Sequence, residues 1–122
     1  MAKKILVIED DKDIREAITL MLQNSGYDVT SSEGAKILKS LPEINPDLIL
    51  LDNWLTEWRS DANGQEISKQ LKTDPATQHI KIIIFSAVNN VKQIAEAGLA
   101  DGYIQKPFDI DHLLNVVGNM LS

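Results

Sequence analysis

Residues 46–52 read Pro46-Asp47-Leu48-Ile49-Leu50-Leu51-Asp52, four large aliphatic side chains in succession, opened by Pro-Asp and closed by an acid. A strand with one face in water alternates apolar and polar residues, so an unbroken apolar run predicts a strand buried on both faces. Ile5-Leu6-Val7-Ile8 and Ile82-Ile83-Ile84-Phe85 repeat the pattern. Strands of this kind need helices above and below the sheet they form.

The intervening segments supply those helices. Ile14, Ala17, Ile18, Met21 and Leu22 recur at helical spacing and make one apolar stripe, which Ser25-Gly26 brings to a stop. Asp28 to Ser31 is a short, weaker strand, and Ile37, Leu38 and Leu41 predict a second helix that Pro42 and Pro46 keep from continuing. After the strand at Leu48 come a polar loop with tryptophan, a helix from about Gly64 to Lys72, and a turn at Asp74-Pro75. Val91, Ile94 and Ala95 carry a fourth helix, and residues 101–105 a fifth strand. Ile110, Leu113, Leu114 and Val117 carry a last helix with Asp109 as its N-cap. Parallel neighbours require crossover helices, so strands alternating with helices throughout predict an α/β fold. The expected architecture is a flavodoxin-like open five-stranded parallel sheet of strand order 2-1-3-4-5, with helices on both faces. At 122 residues it is read as one domain, 1–122.

Composition narrows the function. A net charge of −6 opposes nucleic-acid backbones and anionic membranes, so neither direct nucleic-acid binding nor membrane binding is expected. The absence of cysteine excludes disulfides, thiolate metal sites and thiol nucleophiles, and fits a cytoplasmic setting. Apolar runs of four residues fall far short of the ~20 that a membrane helix needs. The basic start is followed by an apolar run that stops at Glu9, too soon for a signal peptide, so the mature chain is expected to begin here.

In open parallel sheets, ligands bind beyond the carboxyl ends of the strands. Those ends carry Glu9-Asp10-Asp11, Asp52, Ser86 and Lys106-Pro107. Glu9, Asp10 and Asp52 brought together repel one another by about 1 kcal/mol per pair in water and more in a drier cleft. A hard divalent cation suits such a set of oxygens, and Mg²⁺ is commonly shared between one or two carboxylates, water and a phosphate. The site therefore anticipates a phosphoryl group positioned for in-line attack by Asp52, with Lys106 neutralising its oxygens and Ser86 donating a hydrogen bond. Taken singly, each residue has a duller account: an N-terminal helix cap, a turn former, a loop hydroxyl, a solvated surface charge. Asp11 keeps that reading; the others are read jointly.

These residues resemble the response-regulator receiver domain of two-component signalling, and the resemblance covers essentially the whole chain. It rests on Ile5-Leu6-Val7-Ile8-Glu9-Asp10, Pro46-Asp47-Leu48-Ile49-Leu50-Leu51-Asp52, Phe85-Ser86-Ala87, Ala97-Gly98-Leu99-Ala100-Asp101 and Lys106-Pro107-Phe108. The resemblance implies that Asp52 is the phosphoacceptor, fed by a sensor histidine kinase or a histidine phosphotransfer protein. Glu9, Asp10 and Asp52 would bind Mg²⁺ with the backbone carbonyl of Trp54, Lys106 would contact the phosphoryl group, and Ser86 and Tyr103 would be the switch pair. It further implies a readout face on the fourth helix, fifth strand and last helix, a downstream protein target, and a phosphorylation-dependent dimer. Such a domain is no enzyme beyond its own phosphorylation and dephosphorylation, and acts either alone or within a longer protein.

Two departures from the family pattern stand out. Family members usually place glycine eight positions after the acceptor; here Gly64 follows Asp52 by twelve, and Thr56 replaces the usual proline. The enlarged loop, Thr56 to Asn63, carries Trp58 and Arg59, expected either to contact a partner or, for Trp58, to anchor the loop. Trp54 and Val88 stand where polar groups often orient a hydrolytic water, so slow hydrolysis of the phosphorylated form is expected. His79 and His112 are read as surface residues. A receiver-like docking adaptor that is never phosphorylated is the main alternative. A magnesium-dependent phosphatase of the haloacid-dehalogenase type would need an acid where Trp54 stands, and a flavodoxin-type carrier would meet repulsion of its phosphate at Glu9-Asp10-Asp11.

Overall fold

The computed structural model describes residues 2–53, 64–87 and 89–122. The strands are β1 (Lys4–Ile8), β2 (Asp28–Ser32), β3 (Leu48–Asp52), β4 (Lys81–Ser86) and β5 (Gly102–Gln105). They form one parallel sheet in the order β2-β1-β3-β4-β5, the predicted arrangement. The helices are α1 (Lys12–Asn24), α2 (Leu41–Ile44), α3 (Gly64–Thr73), α4 (Val91–Ala97) and α5 (Ile110–Leu121). Among the described residues, no helix is long and apolar enough to cross a membrane.

The continuous apolar runs are buried on both faces because alternate side chains enter two separate cores. Ile5, Val7, Leu48, Leu50, Ile83 and Phe85 pack with Ile18 and Leu22 of α1 and Leu113 and Val117 of α5. Leu6, Ile8, Ile49, Leu51, Ile82 and Ile84 pack on the other side with Leu41 of α2 and Val91 of α4, and Ile67 and Leu71 of α3 lie against them. Asp11 and Asp109 cap α1 and α5, accepting from the amides of Ile14 and His112 at 3.0 and 2.7 Å.

The structure corrects the second helix. Residues Ala35–Ser40 form a 3₁₀ segment, and α2 is a single α-helical turn that contains Pro42 in place of ending before it. Pro42 lies in the first turn, where its missing N–H has no helical partner to lose. The helix stops instead at Asn45, which takes the left-handed conformation (φ 48°). Ala17 and Ile110, placed on apolar stripes by spacing, are exposed: Ala17 lies at the margin of the buried face of α1, and Ile110 is the first residue of α5.

Candidate functional site

Strand parity decides which side chains meet. Glu9 continues the series of Ile5 and Val7, and Asp52 that of Leu48 and Leu50, so both point toward the α1 and α5 side. The β1–β3 register pairs Ile8 with Leu51, and one residue further it brings Glu9 beside Asp52. Asp52 in turn pairs with Phe85, and Ser86 with Gln105. The amide of Lys106 donates to the Ser86 carbonyl at 2.8 Å, which sets the lysine at the same end of the sheet.

The result is a compact charged cluster. One carboxylate oxygen each from Glu9, Asp10 and Asp52 lies within 4.8 Å of the others. Glu9 is fully buried, Asp52 nearly so, and Asp10 half-buried. The Lys106 ammonium donates to Glu9 Oε1 at 2.7 Å and stands 3.8 Å from Asp52 Oδ2. Three carboxylates facing one ammonium leave the cluster negative, and its donors are all hard oxygens, which fits a divalent cation such as Mg²⁺. Ser86 is buried and lines the same cavity with Asp11, Ile14 and Ala87.

The lysine is held from beneath as well. Its ammonium lies 4.7 Å from the centre of the Phe85 ring, and Phe108 packs edge-on against that ring at 6.4 Å and 86°. The Lys106–Pro107 peptide bond is cis. Tyr103, the sequence-predicted switch aromatic, sits on β5 and is 43% exposed. His79 and His112 are exposed, as expected. Trp54, the loop from Thr56 to Asn63 with Trp58 and Arg59, and Val88 lie outside the described residues.

Sequence reasoning missed three supporting groups. Asn53 is buried beside the acceptor, and its Oδ1 accepts from the Gln65 amide at 3.0 Å while its carbonyl accepts from Gly64 at 3.0 Å. The start of α3 is thereby fastened to the residue after Asp52; an asparagine at a strand end, a residue type favoured at helix starts, was the available signal. Arg15 donates from Nη1 to the Glu9 carbonyl at 3.0 Å. Neither this contact nor the aromatic shelf of Phe85 and Phe108 has a local sequence pattern that would mark it.

Residues 5–118 match the response regulator receiver domain family. The chain is 38% identical over 112 residues to the phosphate regulon transcriptional regulatory protein PhoB of Pseudomonas aeruginosa, covering 88% of this chain and 47% of that protein. It is 31% identical over 122 residues to the DNA-binding dual master transcriptional regulator RpaA of Synechocystis, covering 97% of this chain and 48% of that one. The chain thus spans about half the length of the curated relatives it matches. A response regulator crystal structure from Chloroflexus aurantiacus shares the fold, with TM-score 0.89 and 23% identity over 99% of this chain and 98% of that one.

Proposed function

The chain belongs to the response regulator receiver domain family of two-component signalling, and from that premise we propose that Asp52 accepts a phosphoryl group from a phosphohistidine on a partner kinase or histidine phosphotransfer protein. The observation that carries this reading is the convergence of Glu9, Asp10 and Asp52 oxygens within 4.8 Å, with Lys106 at 3.8 Å from Asp52.

In this reading an Asp52 oxygen bonds to phosphorus as the bond from phosphorus to the donor's imidazole nitrogen breaks. Lys106 sets its positive charge against the phosphoryl oxygens, and Ser86 donates a hydrogen bond to one of them. Glu9, Asp10 and Asp52 would hold Mg²⁺, which when bound neutralises developing charge on the phosphoryl group. The domain catalyses only its own phosphorylation and dephosphorylation. The added phosphate brings about 1.5 to 2 negative charges, and Ser86 moving toward it leaves room for Tyr103 to turn in from solvent. That change alters the α4, β5 and α5 face, which a downstream protein or a second copy then reads. Among the relatives, some are named DNA-binding regulators; the acidic balance of this chain supports a receiver that does not itself bind nucleic acid. The setting we assign is the cytoplasm.

The test is intact mass after incubation with acetyl phosphate, with and without Mg²⁺, beside Asp52→Asn. A single increment of about 80 Da for one phosphoryl group, dependent on Mg²⁺ and absent in the variant, is the outcome this reading requires. A folded protein that never gains mass is a docking adaptor instead, and rapid multiple turnover of the donor marks a phosphatase.

A further inference from the structure

We propose that Arg15 is a positioning residue for the acidic cluster, holding the carboxylates of Glu9 and Asp10 convergent on Asp52 by hydrogen bonds to their own peptide carbonyls. The inference rests on the reading of Glu9, Asp10 and Asp52 as a Mg²⁺ site.

β1 ends at Ile8 and the N-cap of α1 is Asp11, so Glu9 and Asp10 are the residues between strand and helix. Two of the three carboxylates thus sit on backbone that neither the sheet nor the helix fully regulates. The helix ladder begins one step later: the Arg15 amide donates to the Asp11 carbonyl at 2.9 Å. The carbonyls of Glu9 and Asp10 fall before that first bond. The Arg15 side chain doubles back over the cap to reach them, its Nη1 lying 3.0 Å from the Glu9 carbonyl and, more distantly, 3.5 Å from that of Asp10.

Glu9 is consequently tied at every polar atom. Its amide donates to the Ser32 carbonyl at 3.0 Å, and its side chain takes Lys106 at 2.7 Å and the Asp11 amide at 3.4 Å. The guanidinium supplies the remaining tie. Mg²⁺ demands near-octahedral oxygen geometry at about 2.0–2.1 Å, so a small swing of this peptide changes its affinity. A guanidinium suits the task because its planar fork offers several donors in fixed directions, where an ammonium on a flexible stem offers a point charge.

The sign of the effect distinguishes positioning from charge. Removing a cation from beside a cation site strengthens Mg²⁺ binding by Coulomb's law alone. Loss of positioning weakens it, by about tenfold on the scale of other groups that orient metal ligands. The experiment is calorimetric titration of Mg²⁺, with no phosphodonor, into the unaltered chain, Arg15→Met and Arg15→Lys, with folding checked by circular dichroism. The expected result is a roughly tenfold weaker constant for Arg15→Met and partial recovery in Arg15→Lys, which keeps one donor. A constant for Arg15→Met that is unchanged or tighter, with the unaltered chain binding normally, overturns this inference alone. Should Arg15→Met not fold, a constant for Arg15→Lys equal to the unaltered one overturns it equally. No Mg²⁺ binding by the unaltered chain overturns both this inference and the reading beneath it.

Discussion

Glu9 holds a carboxylate at 0% exposure, which would be costly without its 2.7 Å bond to Lys106. Removing one partner of a buried ion pair strands the other and typically costs about 3–5 kcal/mol. The Lys106 side chain keeps 18% exposure, so water can reach Glu9 once the lysine is shortened, and the lower end of that range applies. Lys106→Met should therefore lower stability in Mg²⁺-free urea unfolding by about 3 kcal/mol. Combined with Glu9→Gln, the loss should fall short of additivity by more than about 1 kcal/mol; a strictly additive cycle would show that the two groups do not depend on each other. Both residues stand out in the sequence as charges at strand ends. Their bond to each other does not, because it depends on how the Lys106 ammonium is placed over the Phe85 ring, and nothing in the spacing encodes that. The same holds for Arg15, whose role arises from a side chain turning back against its own helix.

The acceptor strand and α3 are joined through Gly64. A methyl group there would stand 2.7 Å from Asn53 Cα and 3.0 Å from the Asp52 carbonyl oxygen. Both are backbone atoms with no freedom to rotate away. Any side chain at 64 must push α3 off the end of β3, and with it the Asn53 bond to the Gln65 amide. Gly64→Ala is expected to cost about 1–3 kcal/mol by overpacking and to slow Asp52 phosphorylation by acetyl phosphate, since the residue beside the acceptor shifts. Stability and rate both equal to those of the unaltered protein would mean that α3 adjusts freely. The start of α3 near Gly64 was legible from its pattern, whereas the close approach was not. The second helix shows the opposite failure: its apolar residues Ile37, Leu38 and Leu41 were found. Its form was misjudged because proline is tolerated in a first helical turn and a 3₁₀ segment carries no distinctive period.

Across the whole molecule, one sheet belongs to two cores at once. This made the fold legible, since strands buried on both faces must be apolar throughout, and it has an energetic consequence. On β4, Ile83 and Phe85 enter the core under α1 and α5, while Ile82 and Ile84 enter the one under α2, α3 and α4. Neither core can lose these strands without the other losing them too. We therefore propose that the described residues unfold as a single cooperative unit, for which total stability of about 5–15 kcal/mol is usual. Ile83→Ala and Ile84→Ala remove equivalent volume from opposite sides, and each should cost about 2–5 kcal/mol. If the sheet couples the two sides, each variant unfolds in one transition, at a lower midpoint, with calorimetric and van't Hoff enthalpies in agreement. A second transition, or one that responds to only one of the two substitutions, would mean that the helical layers melt separately and that the strands do not transmit loss of packing from one face to the other.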